Sequence, residues 1–173
     1  DAHDVSVIDC AVDCRSLGEL KRRLSLIQPD IAAVPVIYGT MLNAYRIAAA
    51  VKETVTARVV FGGLPAAFSA ERIFSECPEA DVCVLNEGEI SMRALAAGRP
   101  PGEIPGLVYR RDGAVIVNKQ GPYVEDLDAQ PFPARHLFPL KKYSGISIHT
   151  SSLKISTNLE TKRGCPFSCE FCV

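Results

Sequence analysis

Apolar runs alternate with amphipathic segments along residues 1–100 of the chain. The runs are short and bounded by turn residues, as expected for buried strands, and the segments between them repeat apolar positions at helical spacing. The predicted strands cover residues 5–10, 31–37, 58–61 and 81–85. The predicted helices start near Ser16, Thr40, Ser69 and Glu89. This alternation predicts an α/β domain with a parallel sheet and right-handed crossovers.

Capping residues and an apolar face support the first two of these helices. Ser16 and Glu19 have the spacing of a capping box, which predicts a helix from there to about Gln28. Thr40 is the predicted cap of the second helix. The apolar face predicted for that helix consists of Ala44, Ile47, Ala48 and Val51. A face of this kind indicates a helix that packs on a core.

The pattern changes after Pro100 and Pro101. Two alternating apolar runs surround Asp112 and Gly113, which predicts a β-hairpin within residues 106–117. Residues 125–139 contain several prolines and predict an extended linker with little helix. Residues 155–159 predict a further strand, which leads into a cysteine-rich loop.

Composition limits the classes of protein to which the chain can belong. Its 173 residues suffice for one domain and part of another, or for two small domains, and an apolar content of 47% allows a true core. The net charge of −1 gives no electrostatic support for nucleic-acid binding, and no apolar run approaches the length of a membrane span. The seven cysteines, without an export signal, predict reduced thiols and a cytoplasmic protein.

Three cysteines carry the strongest chemical indication in the sequence. Cys165, Cys169 and Cys172 have C-x3-C-x2-C spacing, and Phe171 precedes the third cysteine. A compact loop of this kind can present three thiolates to one face of a cubane iron–sulfur cluster. A ferredoxin-type cluster uses four thiolates, so three thiolates leave one iron open to a substrate or cofactor.

Two other interpretations of these cysteines stay open. A structural zinc site would need a fourth ligand, which His149 or a distant cysteine would have to provide. Three unrelated buried thiols would need an apolar setting, whereas this segment is polar and contains proline and glycine. The spacing favours the cluster, and metal analysis would separate iron from zinc.

The loops that follow the predicted strands indicate a second site. Ligands of open parallel sheets bind beyond the carboxyl ends of the strands. The candidate residues in these loops are Tyr38, Gly39, Thr40, Gly62, Gly63, Leu64, Glu87 and Gly88. A single glycine after a strand is usually a turn, but three such loops in register predict a binding site. Because the chain has no G-x-G-x-x-G motif, a nicotinamide or flavin dinucleotide is not supported.

The order of these features along the whole chain resembles the cobalamin-binding radical S-adenosylmethionine (SAM) enzymes. The features are an α/β domain, a hairpin, a Pro-Phe-Pro linker and the sequence Arg-Gly-Cys-Pro-Phe-Ser-Cys-Glu-Phe-Cys at 163–172. The resemblance implies a cobalamin-binding domain with a flavodoxin- or Rossmann-like parallel sheet at residues 1–100 and a hairpin and linker at 101–145. At residues 146–173 it implies the first strand and the cluster loop of a truncated radical SAM partial TIM barrel.

The same resemblance implies a set of cofactors. A [4Fe-4S] cluster would be held by Cys165, Cys169 and Cys172, SAM would bind the open iron with its adenine near Phe171, and cobalamin would lie against the three loops. The implied reaction is reductive cleavage of SAM to a 5′-deoxyadenosyl radical, with cobalamin assisting methyl transfer or a related radical reaction. The implied partners are a small-molecule substrate and an electron donor such as flavodoxin or ferredoxin. The alternatives are a radical SAM enzyme without cobalamin and a non-catalytic metal- or cluster-binding module.

The resemblance also places parts of the fold outside this chain. The first strand and helix of the domain are expected before residue 1 and the rest of the barrel after residue 173, so the chain alone is expected to be poorly stable and inactive. His3 is expected to be a solvated turn residue and not a cobalt ligand, because the D-x-H-x-x-G motif is incomplete at Ser6.

The remaining four cysteines are expected to be structural. Cys10 lies at the end of the predicted strand 5–10, where a thiol behaves as a small apolar side chain. Cys10 and Cys14 share C-x3-C spacing, but core packing is favoured over a metal role. Cys77 and Cys83 are expected to pack in the core in the same way.

Overall fold

The computed structural model describes residues 3–14, 16–143 and 159–171 of the chain. The chain divides into two compact units, Asp1–Pro133 and Ala134–Val173. Of the predicted strand at 155–159, only Leu159 is described, and it has no regular secondary structure. The predicted cluster ligand Cys172 also lies outside the described residues.

A five-stranded sheet runs through the described part of the first unit. Its strands are β1 (Ile31–Pro35), β2 (Arg58–Gly62), β3 (Val82–Val84), β4 (Leu107–Arg111) and β5 (Ala114–Val117). They lie side by side in the order β1-β2-β3-β4-β5. The first three strands are parallel, whereas β4 runs antiparallel to both β3 and β5. The predicted α/β class is confirmed, and the predicted hairpin extends the parallel part of the sheet.

Helices follow the strands as the sequence pattern predicts. They are α1 (Leu17–Ile27), α2 (Met41–Thr54), α3 (Leu64–Phe68), α4 (Ala70–Glu76) and α5 (Glu89–Ala96). Ser16 caps α1, because its Oγ accepts a hydrogen bond from the Glu19 N–H at 3.2 Å. The predicted apolar face of α2 is confirmed, since Ala44, Ala48 and Val51 are buried and Ile47 packs against the core.

Alternating side chains of β2 and β3 contribute to cores on both faces of the sheet. Val59 and Phe61 of β2 and Cys83 of β3 join a core with α1, α2 and α4. Val60 and Val82 point to the opposite face and join a core that includes Leu95 of α5. Strands buried on both faces are continuous apolar runs and not alternating ones, which is the pattern that the sequence has here.

The predicted hairpin is confirmed at its turn. Asp112 and Gly113 have φ values of 51° and 81°, and Arg111 pairs with Ala114 across the turn. Positive φ at both central residues is the requirement of a type I′ turn, and Asp-Gly meets it at low cost.

The predicted strand at residues 5–10 is wrong. Residues 4–9 have no regular secondary structure, and a turn follows in which the Asp13 N–H donates to the Asp9 carbonyl oxygen at 2.6 Å. The prediction relied on an apolar run, but a strand forms only where a neighbouring strand satisfies its backbone groups. None of the described segments pairs with residues 5–10.

The four structural cysteines differ in burial. Cys10 is exposed, so the core packing predicted for it is wrong, because the strand that would have buried it does not form. Cys14, Cys77 and Cys83 are buried, as predicted. Burial raises the pKa of the Cys77 thiol to about 11 and that of the Cys83 thiol to about 12, so both stay protonated.

The loop predicted after β2 contains a short helix that the sequence analysis missed. Gly63 is followed directly by α3, which has Pro65 in its first turn. Proline is favoured at the start of a helix, where its missing N–H leaves no bond unmade. The Gly-Gly-Leu-Pro sequence therefore combines a turn with a helix start.

Residues 118–143 are mostly irregular, as predicted for a linker. In the described part of residues 118–143 the regular segments are 3-10 turns at Arg135–Leu137 and Leu140–Lys142. A membrane-spanning helix is not found among residues 3–14, 16–143 and 159–171.

Candidate functional site

The three predicted post-strand loops emerge at one edge of the sheet. In the parallel register Pro35 pairs with Gly62, and Phe61 pairs with Cys83. The carboxyl ends of β1, β2 and β3 are therefore neighbours, and the loops that follow them lie side by side. The structure thus brings the predicted residues of these loops to a common edge, which we call the carboxyl edge.

The loop after β1 is anchored at its start and exposed at its tip. Val36 is fully buried, and its N–H donates to the Gly62 carbonyl oxygen at 2.8 Å. Tyr38 then opens a 3-10 turn that ends at Thr40, the residue before α2. The Tyr38 side chain is 60% exposed. The loop therefore holds an aromatic side chain at the edge on a rigid base.

The loop after β2 depends on Gly63. This residue has φ 105° and ψ 178°, and a Cβ atom there would lie 2.4 Å from the Val36 carbonyl oxygen. Because L side chains rarely adopt this conformation and the contact is with backbone, glycine is required for the two loops to approach each other. The Gly-Gly pair stands in the sequence, but the contact with the Val36 carbonyl oxygen that requires glycine at position 63 appears only in the fold.

Gly39 and Gly62 differ from Gly63 in their surroundings. A Cβ atom at either position would meet nothing within 4 Å, and neither residue has a positive φ. Glycine costs about 0.5–1 kcal/mol in conformational entropy where the backbone does not need it. Two glycines without a local steric reason at the same edge keep the space above the strand ends open.

The loop after β3 is tied to the rest of the unit by hydrogen bonds. Its Leu85 N–H donates to the Gly106 carbonyl oxygen at 2.8 Å. Asn86 follows with φ 55°. The Glu87 carboxylate accepts a hydrogen bond from the Val124 N–H at 2.5 Å, and Gly88 is the residue that precedes α5. Glu87 is thus oriented toward the linker by a partner that the sequence did not reveal.

Large apolar side chains surround the carboxyl edge and are exposed to solvent. They are Ile37, Tyr38, Leu42, Leu64 and Phe68. Such a group of exposed apolar side chains marks a surface that a ligand or partner covers. The edge therefore offers open space over glycine backbone, apolar walls and the amino end of α2, whose N–H groups attract acceptor oxygens. Such a surface can contact a ligand that has both apolar and polar parts.

The predicted cluster residues belong to the second unit. Cys165 and Cys169 are exposed free thiols, and Phe171 is 92% exposed. Gly164 has φ 74° and turns the backbone just before Cys165. Within the described residues no three His, Cys, Asp or Glu side chains are grouped to hold a metal ion. Because Cys172 is outside that set, the three-cysteine ligand set stays a prediction.

His3 lies away from the three loops in sequence and is exposed, as expected for a solvated turn residue. Cys10 and Cys14 lie close enough for their thiols to be hydrogen-bonded, and burial is the main cause that raises both of their pKa values. Cys14 is buried as predicted, whereas Cys10 is exposed, so the core packing predicted for the pair holds for Cys14 alone.

The fold and the edge define the class of the first unit. Three parallel strands with helical crossovers, and loops gathered at the carboxyl edge, are the features of a Rossmann-like ligand-binding domain. The model of the B12-binding domain family matches residues 1–96, and the chain belongs to this family. The resemblance to the cobalamin-binding radical SAM proteins described above is confirmed at this level.

Relatives with curated names extend over most of the chain. The uncharacterized methyltransferase PH0819 of Pyrococcus horikoshii is 31% identical over 175 residues, which cover 98% of this chain and 37% of that protein. An anaerobic magnesium-protoporphyrin IX monomethyl ester cyclase of Rubrivivax gelatinosus is 28% identical over 98% of this chain and 31% of its own length. The cobalamin-dependent radical SAM methyltransferase TokK of Streptomyces tokunonensis is 28% identical over 85% of this chain and 22% of its own length.

A solved structure shares the fold. The cobalamin-dependent S-adenosylmethionine radical enzyme OxsB, with aqua-cobalamin and S-adenosylmethionine bound, superimposes with a TM-score of 0.58 at 23% sequence identity. The match covers 67% of this chain and 17% of that chain. This chain spans only a fraction of the length of each of these relatives, between 22% and 37% for the three curated proteins.

Proposed function

We propose that this chain supplies the cobalamin-binding part of a cobalamin-dependent radical SAM enzyme of the methyltransferase type. The observation that carries the proposal is the carboxyl edge, where Gly39 and Gly62 leave open space between exposed apolar side chains. Membership of the B12-binding domain family supports the same ligand. Bound cobalamin would supply a cobalt ion that can carry a methyl group.

The chain's own residues would bind and orient the corrin. Tyr38 and Leu64 are exposed on neighbouring loops and offer apolar contact to a macrocycle. Backbone at Gly39, Thr40, Gly62 and Gly63 would lie against the ring or the nucleotide tail, and the amino end of α2 favours the tail's phosphate and amide oxygens. Gly88 would contribute backbone from the third loop. Glu87 would hold the third loop beside the linker through its hydrogen bond from the Val124 N–H.

We extend the proposal to the cysteine loop. Cys165, Cys169 and Cys172 would hold a [4Fe-4S] cluster, and SAM would bind the open iron with its adenine near Phe171. The spacing of the three cysteines and the turn at Gly164 support this assignment. A bound cluster, reduced for example by a flavodoxin or ferredoxin, would supply the electron for the cleavage of SAM.

The proposed reaction is transfer of a methyl group to a small molecule. A radical cyclisation is the second candidate, because a magnesium-protoporphyrin IX monomethyl ester cyclase is 28% identical over 98% of this chain. Two alternatives remain if the protein binds iron but retains no cobalt. They are radical SAM chemistry without cobalamin and cluster binding without catalysis.

Titration with hydroxocobalamin tests the proposed edge. The protein is purified without oxygen, and binding is followed by the change in the visible spectrum and by bound cobalt after gel filtration. We expect near-stoichiometric cobalt in the wild type. In Gly62→Ala and Gly39→Ala the Kd should rise about tenfold or more, which corresponds to about 1.4 kcal/mol, because each added methyl enters the proposed ligand space.

The stability of these variants is the control. Since an alanine Cβ meets no protein atom within 4 Å at either position, the free energy of unfolding should change by less than about 1 kcal/mol. Unchanged affinity in both variants would remove Gly39 and Gly62 from the site. Absence of cobalt in the wild type would reject the cobalamin function itself.

A further inference from the structure

The Glu87 carboxylate connects two segments that are far apart in sequence. It lies in the loop after β3 and accepts a hydrogen bond at 2.5 Å from the N–H of Val124, in the linker that follows the hairpin. Both residues are partly buried. A hydrogen bond from a backbone N–H to an ionised carboxylate is among the stronger bonds in proteins, and partial burial protects it from competition by water.

A series of backbone contacts holds the start of the linker beside this loop. The Gly106 N–H donates to the Lys119 carbonyl oxygen at 2.7 Å, while the Gly106 carbonyl oxygen accepts from Leu85 of the loop after β3 at 2.8 Å. Gly106 and Gly121 pack so closely that a Cβ atom on Gly106 would lie 3.3 Å from the Gly121 Cα. Residues 118–124 therefore run alongside the loop after β3. Of these contacts, the bond between Glu87 and Val124 reaches the residue with the highest number in the linker.

The side chain of Asn118 fixes the other end of the same segment. Its Nδ2 donates to the carbonyl oxygens of Pro101 and Ile104, both at 2.7 Å. The buried Ser91 of α5 donates to the Pro105 carbonyl oxygen at 2.8 Å. Residues 101–106 are thus bonded to α5 and to the linker at once. Beyond Val124, by contrast, the hydrogen bonds of Asp126 to the N–H groups of Asp128 and Ala129 are local.

We propose that Glu87 is a positioning residue that anchors the linker to the carboxyl edge, so that a ligand held at this edge and an ordered linker stabilise each other. The proposal rests on the proposed cobalamin function, because it assigns to one residue of that site a role that acts through the linker. The bond to Val124 directs one oxygen of the carboxylate toward the linker. A ligand that contacts the backbone of Glu87 and Gly88 would restrict this loop and, through Glu87, the Val124 N–H.

Hydrogen exchange of the Val124 amide tests the anchor without a ligand. The wild type is compared with Glu87→Ala, Glu87→Gln and the control Asp126→Ala, and the amide of Phe61 in β2 serves as an internal reference for global unfolding. We expect exchange at Val124 to become at least tenfold faster in Glu87→Ala. Glu87→Gln keeps an acceptor oxygen and should show a smaller increase, and Asp126→Ala should leave Val124 unchanged.

Addition of hydroxocobalamin then tests the coupling. In the wild type, saturation should slow exchange at Val124 at least threefold, and this slowing should be absent in Glu87→Ala even at saturation. Val124 exchange that is the same in Glu87→Ala and wild type would overturn the anchor. Bound hydroxocobalamin that leaves wild-type Val124 exchange unchanged would overturn the coupling. If the wild type retains no hydroxocobalamin, the proposed function fails and the coupling fails with it, whereas the anchor is decided by the ligand-free experiment.

Discussion

The carboxyl edge of the sheet and the cysteine loop at residues 159–171 are both candidate cofactor sites, but they are built in different ways. At the edge, buried Val36 and the required glycine at Gly63 fix the backbone before any ligand arrives. In the cysteine loop, Cys165, Cys169 and Phe171 are exposed. A site fixed by packing can receive a large organic ligand with little rearrangement, whereas thiolate sites gain much of their order from the metal. We therefore expect the edge to depend on backbone geometry and the loop to depend on its metal.

Loss of one loop cysteine is expected to have the largest effect. After anaerobic reconstitution with iron and sulfide, Cys165→Ala and Cys169→Ala should each lose nearly all cluster iron, because two thiolates cannot hold a cubane with an open iron. Iron, sulfide and zinc are measured per protein chain. Cys10→Ala removes another exposed thiol and should keep the iron content of the wild type. Full iron in Cys165→Ala would contradict the proposed ligand set, and stoichiometric zinc in the wild type would favour the structural zinc site.

The second prediction concerns the backbone of the edge. Gly63→Ala should destabilise the chain by more than about 2 kcal/mol, because alanine is strained at φ 105° and its Cβ would meet the Val36 carbonyl oxygen. Gly62→Ala is the matched neighbour and should cost less than about 1 kcal/mol. Urea unfolding measures both values. Equal stabilities of the two variants would mean that the close approach of the two loops does not fix the edge.

Local patterns predicted much of this fold. The helix cap at Ser16, the apolar face of α2 and the Asp-Gly turn each depend on residues a few positions apart, and the structure confirms all three. The order of loops along a parallel sheet also placed Gly39, Gly62 and Gly88 at one edge, because the topology of such sheets is nearly fixed.

Features that depend on distant partners could not be predicted in this way. Residues 5–10 have the composition of a strand but no pairing segment among the described residues, and composition does not report a partner. The bond between Glu87 and Val124 joins positions 37 residues apart. Glycine is required at position 63 because a Cβ atom there would clash with the carbonyl oxygen of Val36. Every residue type has this backbone oxygen, so the identity of residue 36 does not reveal the clash.

The third prediction concerns the pH dependence of stability. It follows from the buried thiols Cys77 and Cys83 of the first unit, which contrast with the exposed thiols Cys165 and Cys169 of the cysteine loop. Burial raises the pKa of Cys83 to about 12 and that of Cys77 to about 11. In the unfolded chain a thiol ionises near its ordinary value of about 8.5. The unfolded state therefore loses protons first as the pH rises, and the free energy of unfolding should be constant below about pH 8 and fall above it. Each buried thiol contributes at most about 1.4 kcal/mol per pH unit to this fall.

Urea unfolding between about pH 7 and about pH 10 measures this effect. The range ends there because burial also raises the pKa of Tyr45 to about 12, so that tyrosine ionisation in the unfolded chain adds to the fall only near and above pH 10. Cys83→Ala should be less stable than the wild type at neutral pH but should show a shallower fall. Val60→Ala removes a buried side chain that does not titrate, so it should lose stability at neutral pH and keep the wild-type fall. If the free energy of unfolding falls equally steeply with pH in Cys83→Ala and Val60→Ala, water reaches the Cys83 thiol in the folded protein. The difference in burial between the core cysteines and the loop cysteines would then not hold in solution.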